Sequence, residues 1–469
     1  MRERDQFDIA IVGAGSAGLT GAGFAAQLGA RVALFEKDRI GGDCTWTGCV
    51  PSKTLLRSAH AAHELARASS FGLEADSVRT DMHRVRARVD GAIAQIYEHT
   101  TPEALRLLGI DVFMGATEFL DARTLVCGGE RITAKHIVIC TGAHATVPEV
   151  HGLSSVPYLT YSEMFDLTVL PAHLLVMGAG PLGVEMAQAF RRLGARVTIV
   201  GPAVLEREEP EAQSLIKTVL EREGIEVILD RATEVRATPS GIELRTENAA
   251  YSGDTLLVAA GRSPNVEGLA PERAGVAYDA EGIHVDHYLR TSVKNVYACG
   301  DVIGGPQFSH LAGWQCFYAV RNALILGRSR ARSSTMPAVT FSDPEVARVG
   351  MIESEARERF GDRVHVHTWP MTKSDRAVCD GEQDGFIKLV TDRRRRILGA
   401  TIVATRGGEM IAEITLAIHQ GMSVDDIAGT IHAYPTWASG VQLAALDVMM
   451  ARFIASRLSR LVRWMSGFA

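Results

Sequence analysis

No apolar run in the 469-residue chain approaches the length, about 18 residues or more, that spans a bilayer. There is no surplus of positive charge either. Lys and Arg number 49 against 55 Asp and Glu, a formal net charge of −6, so nucleic-acid binding through bulk charge is not expected. Cysteine is scarce. The seven present are odd in number and scattered, which excludes a disulfide-stapled secreted scaffold. The start, Met1 to Gly13, is charged and then runs straight into a strand-like segment, leaving no room for an apolar signal region. What remains is ordinary. At 46% hydrophobic and 22% charged, the composition is that of a globular protein and not of a disordered, collagen-like or coiled-coil chain. At roughly 150 residues per domain the length predicts two to four domains. The expected compartment is a reducing cytoplasmic one, where closely spaced cysteines more often serve catalysis or metal binding than structure.

Within this composition lies an internal repeat. Phe7 to Val12 is a short apolar run followed by Gly13, Gly15 and Gly18. Leu174 to Met177 is another, followed by Gly178, Gly180 and Gly183, an offset of 165 residues at each glycine. The offset persists where Gly29-Ala30-Arg31-Val32 matches Gly194-Ala195-Arg196-Val197. Each copy reads strand, glycine turn, helix, strand, the βαβ unit of a dinucleotide-binding α/β fold. The first glycine makes the tight turn, the second admits backbone to a pyrophosphate, and the third lets helix pack on strand. The pyrophosphate then meets the free N–H groups of a helix N-terminus. One such motif is weak, since a glycine-rich turn mimics it. Two in register, each inside a βαβ pattern, are strong.

The copies differ at the end of the second strand. Glu36, 23 residues after Gly13, suits the two hydroxyls of an adenosine ribose. Its counterpart is Gly201, where no carboxylate opposes a 2′-phosphate, and Arg207 nearby offers positive charge. The second copy therefore points to NADPH, with NADH as the alternative. The plainer reading makes Gly201 a turn residue and Arg207 a solvated one.

Between the copies runs Gly41-Gly42-Asp43-Cys44-Thr45-Trp46-Thr47-Gly48-Cys49-Val50-Pro51-Ser52-Lys53. In an ideal helix two residues five apart are separated by about 7.5 Å of rise, beyond the roughly 7 Å that a disulfide tolerates between Cα atoms. The pair closes only where a helix is starting or distorted, and Gly48 supplies the tolerance. A helix N-terminus also favours a thiolate nucleophile. Two reduced core thiols, or half a zinc site, are the structural alternatives. No second Cys or Cys/His pair stands nearby to complete a zinc site.

Taken together, GGxCxxxGCxPSK beside GxGxxG resembles the flavoprotein disulfide reductases, the family of dihydrolipoamide dehydrogenase, glutathione reductase and mercuric reductase. The likeness runs along essentially the whole chain. Thr141-Gly142 resembles the motif where the chain returns beneath FAD. Gly178-x-Gly180-x-x-Gly183-x-Glu185 resembles the nicotinamide motif, and Ala260 to Asn265 the exit from that domain. TSVKNVYACGD, Thr291 to Asp301, resembles the second FAD motif, and PAVTFSDPE, Pro337 to Glu345, the entry to a dimerisation domain.

The resemblance implies an α/β chain with two Rossmann-like domains, for FAD and NAD(P), and an α+β C-terminal dimerisation domain. An FAD-binding part at 1–150 precedes an NAD(P)-binding domain at 151–275. FAD-binding and central segments follow at 276–335, the dimerisation domain at 336–450, and an amphipathic tail at 451–469. It implies FAD held by Gly13, Gly15, Gly18, Glu36, Gly42, Lys53, Thr141, Gly142 and Asp301, with Asp301 on the ribityl chain. NADPH would lie on Gly178, Gly180, Gly183, Arg207 and Gly261. Electrons would pass from nicotinamide to FAD, to a Cys44–Cys49 disulfide, and on to an acceptor. Cys49 would be the thiolate against the flavin and Cys44 the thiol that exchanges with substrate. Lys53, one turn beyond Cys49, would lie near the flavin and pair with Glu185. Cys127, Cys140, Cys299, Cys316 and Cys379 share no motif spacing and read as small core residues.

The chain departs from the disulfide-reducing members at their His-Pro-Thr…Glu acid–base motif. Here His432-Ala433-Tyr434-Pro435-Thr436-Trp437-Ala438-Ser439 puts Tyr434 in the His place and Ser439 in the Glu place. A phenol with a reference pKa near 10 is a poor base at neutral pH. His432 is the alternative base, though a structural role fits it better. Mercuric reductases also replace this His, since thiolates bind a soft metal ion directly. Against that subfamily, the chain ends without a Cys pair, lacks an N-terminal metal-binding domain, and carries Thr-Trp-Thr between the cysteines. The expectation is a mercuric-reductase-like homodimeric enzyme with a metal-ion or small-molecule electron acceptor. Cys44 and Cys49 would be transient soft-metal ligands, with no structural metal. Dihydrolipoamide dehydrogenase is the alternative, disfavoured by the missing dyad. A non-catalytic FAD-binding protein is disfavoured by the intact Cys44, Cys49, Lys53 and Glu185. In the tail, Ile454, Leu458, Leu461 and Met465 recur at helical spacing, with Arg452, Arg460 and Arg463 on another face. A helix packed on the protein body is expected there, with a membrane-surface helix as the alternative.

Overall fold

The computed structural model describes residues 6–74, 79–331 and 335–466, without the side chains of Arg457, Leu458, Arg460, Leu461 and Arg463. The chain forms two compact units.

The first unit takes Met1–Gly178, Ala189–Gly201 and Asp230–Arg332. Its main sheet uses β1 (Phe7–Val12), β2 (Val32–Glu36), β3 (Ile110–Met114), β4 (Thr117–Phe119), β5 (Thr124–Cys127) and β6 (Glu130–Ile139). The order is β3-β2-β1-β6-β5-β4, parallel from β3 to β6 and antiparallel through β5 and β4. Strand Val296–Ala298 also pairs with β6 in parallel. The continuous apolar runs of β1 and β2 follow from burial on both faces of a parallel sheet. The turn after β1 opens helix α1 (Ser16–Gln27), and the chain after β2 opens two further helices, α2 (Gly42–Trp46) and α3 (Cys49–Ala66). Both therefore begin at the C-terminal end of the sheet, beside the switch in strand order where α/β folds bind ligands. Helix α4 (Met82–Tyr97) lies beyond α3, and α5 (Ser309–Leu324) packs on α1 so closely that a Cβ at Gly21 would come within 2.4 Å of Cys316 Sγ.

The second βαβ copy is also present. Strands His173–Met177 and Arg196–Val200 pair in parallel, Thr255–Val258 adds on the other side, and helix Pro181–Leu193 links the first two. The turn glycines of the two copies use the same device. Gly13 and Gly178 have φ of +107° and +116°, and a Cβ on either would fall 2.3 Å from a backbone oxygen of the neighbouring strand's exit, Cys140 or Ala259.

The second unit takes Ala179–Gln188, Pro202–Leu229 and Ser333–Ala469. Its antiparallel sheet runs in the order Ala338–Thr340, Glu345–Gly350, Ile397–Ala404, Phe386–Thr391, His365–Pro370. Trp369, Ile387 and Ile402 of the sheet and Met410, Ile414 and Val441 of helices Gly407–His419 and Ser439–Ala455 form its core. Lys388, buried within this unit, is neutralised by Glu209, Glu211 and Glu353 at 3.0, 2.9 and 2.8 Å. The chain continues as helix Arg457–Ser466. Ile454 and Met465 are exposed, and Arg452 lies in the last turn of helix Ser439–Ala455. The expected face positions Leu458, Leu461, Arg460 and Arg463 lie outside the described side chains. No helix among the described residues is long and apolar enough to cross a membrane.

Candidate active site

The two cysteines sit on either side of a break between helices. Cys44 lies inside the five-residue α2, and Cys49 is the first residue of α3. Gly48 stands between them, and a Cβ there would come within 2.8 Å of the Asp43 carbonyl oxygen. A side chain at 48 would push the two helices apart, so this glycine is what lets the cysteines meet. Both are free thiols. They share a proton. The hydrogen bond from Cys49, ahead of burial, which opposes it, brings Cys44 down to about 5, and hydroxyls of Ser309 and Ser16 add to the effect. The same hydrogen bond, with burial, pushes Cys49 up, although Ser309 and Lys53 pull it down. The hydrogen bond between the two sulfurs favours a single negative charge on the pair, and Ser309 and Lys53 favour that charge as well.

Ser309 opens α5, and its Oγ lies 3.2 Å from Cys49 Sγ. Nothing in the sequence ties it to a cysteine 260 positions away. Ser16, the first residue of α1, lies between the second and third glycines of the first motif.

A second set of residues anchors α2. The Asp43 carboxylate accepts from Tyr161 Oη at 2.9 Å and from Arg262, whose guanidinium lies 5.0 Å over the Tyr161 ring. Arg262 also reaches Asp301 at 3.5 Å. Burial raises the Asp301 carboxyl, with Arg262 opposing the shift. Trp46 holds the other end of α2: its Nε1 donates to Ile40 O at 2.8 Å and its ring lies 5.1 Å from Tyr97. The meeting of Asp43, Tyr161 and Arg262 joins three stretches of chain 118 and 219 positions apart, which no local pattern in the sequence marks.

The surroundings fit a dinucleotide. A Cβ at Gly42 would fall 2.8 Å from Gly15 Cα, so the two backbones form a cradle that any side chain would fill. Glu36 ends β2 and accepts the Ala14 N–H at 2.9 Å, placing its carboxylate at the glycine turn. A Cβ at Gly18 would lie 1.8 Å from Gly13 O, which explains the third glycine. Asn265 clasps the return motif, accepting from Thr141 Oγ1 at 2.6 Å and donating to Gly142 O at 2.9 Å. Arg262 Nε is buried without a protein acceptor, a donor that a nucleotide oxygen would satisfy. In the second copy, a Cβ at Gly180 would meet open space, as close approach of a ligand requires. Gly201 is buried, Arg207 is exposed, and Gly261 has a φ of +123°. Gly183 lies in the first turn of helix Pro181–Leu193.

Glu185, buried in the second unit, accepts the Phe341 N–H at 2.9 Å. In the same unit, Tyr434 is 69% exposed and donates to Asp375 Oδ2 at 2.5 Å, a contact that raises the phenol further and makes it a still weaker base. His432 is occupied at both ring nitrogens, Nδ1 by Thr430 O at 3.0 Å and Nε2 by Glu413 at 2.9 Å. Burial opposes its charge, but the hydrogen bonds to Glu413 and Thr430 and the Glu413 charge together outweigh this and raise its pKa. Ser439 donates to Thr436 O at 2.6 Å and is the first residue of helix Ser439–Ala455.

Of the other cysteines, Cys127, Cys140, Cys299 and Cys316 are buried and Cys379 is exposed. Cys140, Cys299 and Cys316 meet as a cluster behind α1, which their spacing did not reveal. Cys379 is not a core residue. Among the described residues no group of three or more candidate ligands could hold a metal ion.

The sequence pattern described as pyridine nucleotide-disulphide oxidoreductase matches residues 7–316, and that of the same group's dimerisation domain matches 336–445. A mercuric reductase of Staphylococcus aureus is 33% identical over 450 residues, 94% of this chain and 82% of that protein. A dihydrolipoyl dehydrogenase of Thermus scotoductus is 34% identical over 460 residues, 94% and 96% of the two chains. The solved Cu(II) complex of the HOCl-induced flavoprotein disulfide reductase RclA from Escherichia coli is similar at 29% identity and a TM-score of 0.86, covering 95% of this chain and 100% of that one.

Proposed function

The chain belongs to the pyridine nucleotide-disulphide oxidoreductases, and from that premise we propose that this FAD- and NAD(P)H-dependent enzyme passes electrons from NADPH through the Cys44–Cys49 pair to a thiophilic metal ion such as Hg(II), or to a disulfide-type acceptor. When bound, FAD supplies hydride-equivalent transfer between nicotinamide and the cysteine pair. Gly13, Gly15, Gly18, Glu36, Gly42, Thr141, Gly142 and Asp301 would hold it, with Arg262 Nε as an added donor. Gly178, Gly180, Gly183, Arg207 and Gly261 would hold NADPH. Lys53 places positive charge near Cys49, and in this reading Glu185 is its partner. The domain limits inferred from the sequence are kept, and the working unit is a homodimer through residues 336–450.

The observation that carries the choice of acceptor is the state of the C-terminal segment. Tyr434 is bonded to Asp375 and His432 to Glu413 and Thr430. Neither presents a base near neutral pH, and dithiol–disulfide interchange needs one. A soft metal ion binds thiolates directly, and the paired sulfurs of Cys44 and Cys49 offer it two ligands. The balance is NADPH plus Hg(II) giving NADP⁺, H⁺ and elemental mercury. The relative named dihydrolipoyl dehydrogenase supports a second reading, in which the His432–Glu413 pair reorganises to act as the base. Purified holoenzyme is assayed for NADPH oxidation with Hg(II), Cu(II), lipoamide, glutathione disulfide and quinones. Turnover with the metal ions well above lipoamide is expected. Brisk lipoamide turnover with no response to Hg(II) or Cu(II) would select the second reading.

A further inference from the structure

Ser309 lies where chemistry happens, yet it belongs to none of the motifs that announce the site. Its hydroxyl is 3.2 Å from Cys49 Sγ. Cys49 opens α3 and Ser309 opens α5, so the unpaired N–H groups and positive dipole ends of two helices belong to the two contacting residues. The hydroxyl rotates, so it donates to a thiolate or accepts from a thiol as the charge requires.

We propose that Ser309 is a catalytic residue of the thiol pair, whose hydroxyl donates to the reduced cysteines and holds their negative charge where no acid–base dyad does so. This deepens the proposed function and rests on it. An alcohol does not titrate near neutrality, so Ser309 stabilises the thiolate and shuttles no proton. That matches an acceptor needing thiolates and no base. The other groups at the pair are distinct in position. Ser16 of α1 reaches Cys44, and Lys53 of α3 acts on Cys49 through its charge. Asp43 of α2 is committed to Tyr161 and Arg262, and His310 of α5 lies with its ring 5.3 Å from that of Phe308.

The test compares Ser309→Thr, which keeps the hydroxyl, with Ser309→Val, which copies its shape without it, and with Ser309→Ala. Each holoenzyme is reduced by two electrons and the thiolate–flavin charge-transfer absorbance is titrated with pH. Alkylation of the reduced pair by iodoacetamide is followed over the same range. Loss of a hydrogen bond to a charged sulfur should move both titrations up by about one pH unit in the Val and Ala variants. Alkylation on the acid limb should then fall about tenfold. The Thr variant should follow the unmodified enzyme. Titrations that superimpose in all four proteins, or Thr and Val variants that shift alike, would overturn the proposal. An unmodified enzyme without a charge-transfer band would instead overturn the role given to Cys49, and the alkylation profiles would still decide for or against Ser309.

Discussion

Around Cys44 and Cys49, groups from widely separated stretches of chain close on one another. Asp43 meets Tyr161 and Arg262, Arg262 meets Asp301, and Ser309 meets Cys49. Around Tyr434 the contacts are made within the C-terminal part of the chain. The phenol meets Asp375, His432 meets Glu413, and Ser439 meets Thr436, while Tyr434 itself stays 69% exposed. The first region has its geometry imposed from several sides, as a site for chemistry requires. The second leaves its phenol open to solvent on this chain. The contrast teaches where side-chain contacts converge: on the thiol pair and α2, whereas the Tyr434 phenol is engaged by Asp375 and His432 by Glu413 and Thr430.

The strongest way to break this comparison is to remove a thiol. Cys49→Ser and Cys44→Ser should each lower acceptor-dependent NADPH oxidation on the order of 10³-fold or more. Cys49→Ser should lose the charge-transfer band and Cys44→Ser should keep it. The reverse pattern would overturn the roles given to the two cysteines.

The tyrosine comes next. Lipoamide turnover should lie about 10²-fold below metal-ion turnover, the lower end of what a positioned base contributes. Tyr434→Phe should reduce metal-dependent activity. Tyr434→His should raise lipoamide activity only in part, because Ser439 leaves the new imidazole without its carboxylate. Steady-state rates with both acceptors check this.

Arg262→Met tests whether the first region depends on its network. Asp43 and Asp301 would lose the cation between them, at a cost of about 2 kcal/mol after allowance for partial exposure. The denaturation midpoint of the holoenzyme should fall, and FAD should be lost on gel filtration. Gly201→Glu should act on neither region. It restores a ribose-binding carboxylate and should move the NADPH to NADH preference about tenfold, read as a ratio of kcat/KM.

The smallest effect concerns His432. Its pKa is raised above the ordinary 6.5 on folding, so the folded chain binds the proton more tightly. The stability it adds is complete below about pH 6.5 and fades as pH rises through the folded value. Glu413→Gln should abolish that fade, which amounts to less than about 1 kcal/mol. Melting temperatures at about pH 6 and about pH 9 would show it.

The glycine repeat, the cysteine motif and the replacement of His by Tyr434 were legible in the residues alone, because each is a local constraint. A positive φ at Gly13 and Gly178, or a missing side chain at Gly48, is demanded by a turn a few residues long. The α/β architecture followed from the same turns and the apolar strands beside them. Tertiary structure alone decided what surrounds the thiols. Ser309, Arg262 and Tyr161 reach Cys49 and Asp43 across 260, 219 and 118 positions, and no periodicity encodes such distances. It likewise gathered Cys140, Cys299 and Cys316 behind α1, left Cys379 and the tail's Ile454 and Met465 exposed, and tied His432 to Glu413. Charge and burial at a sulfur depend on what packs around it, so the motif supplies the two thiols and the fold supplies Ser309 beside them.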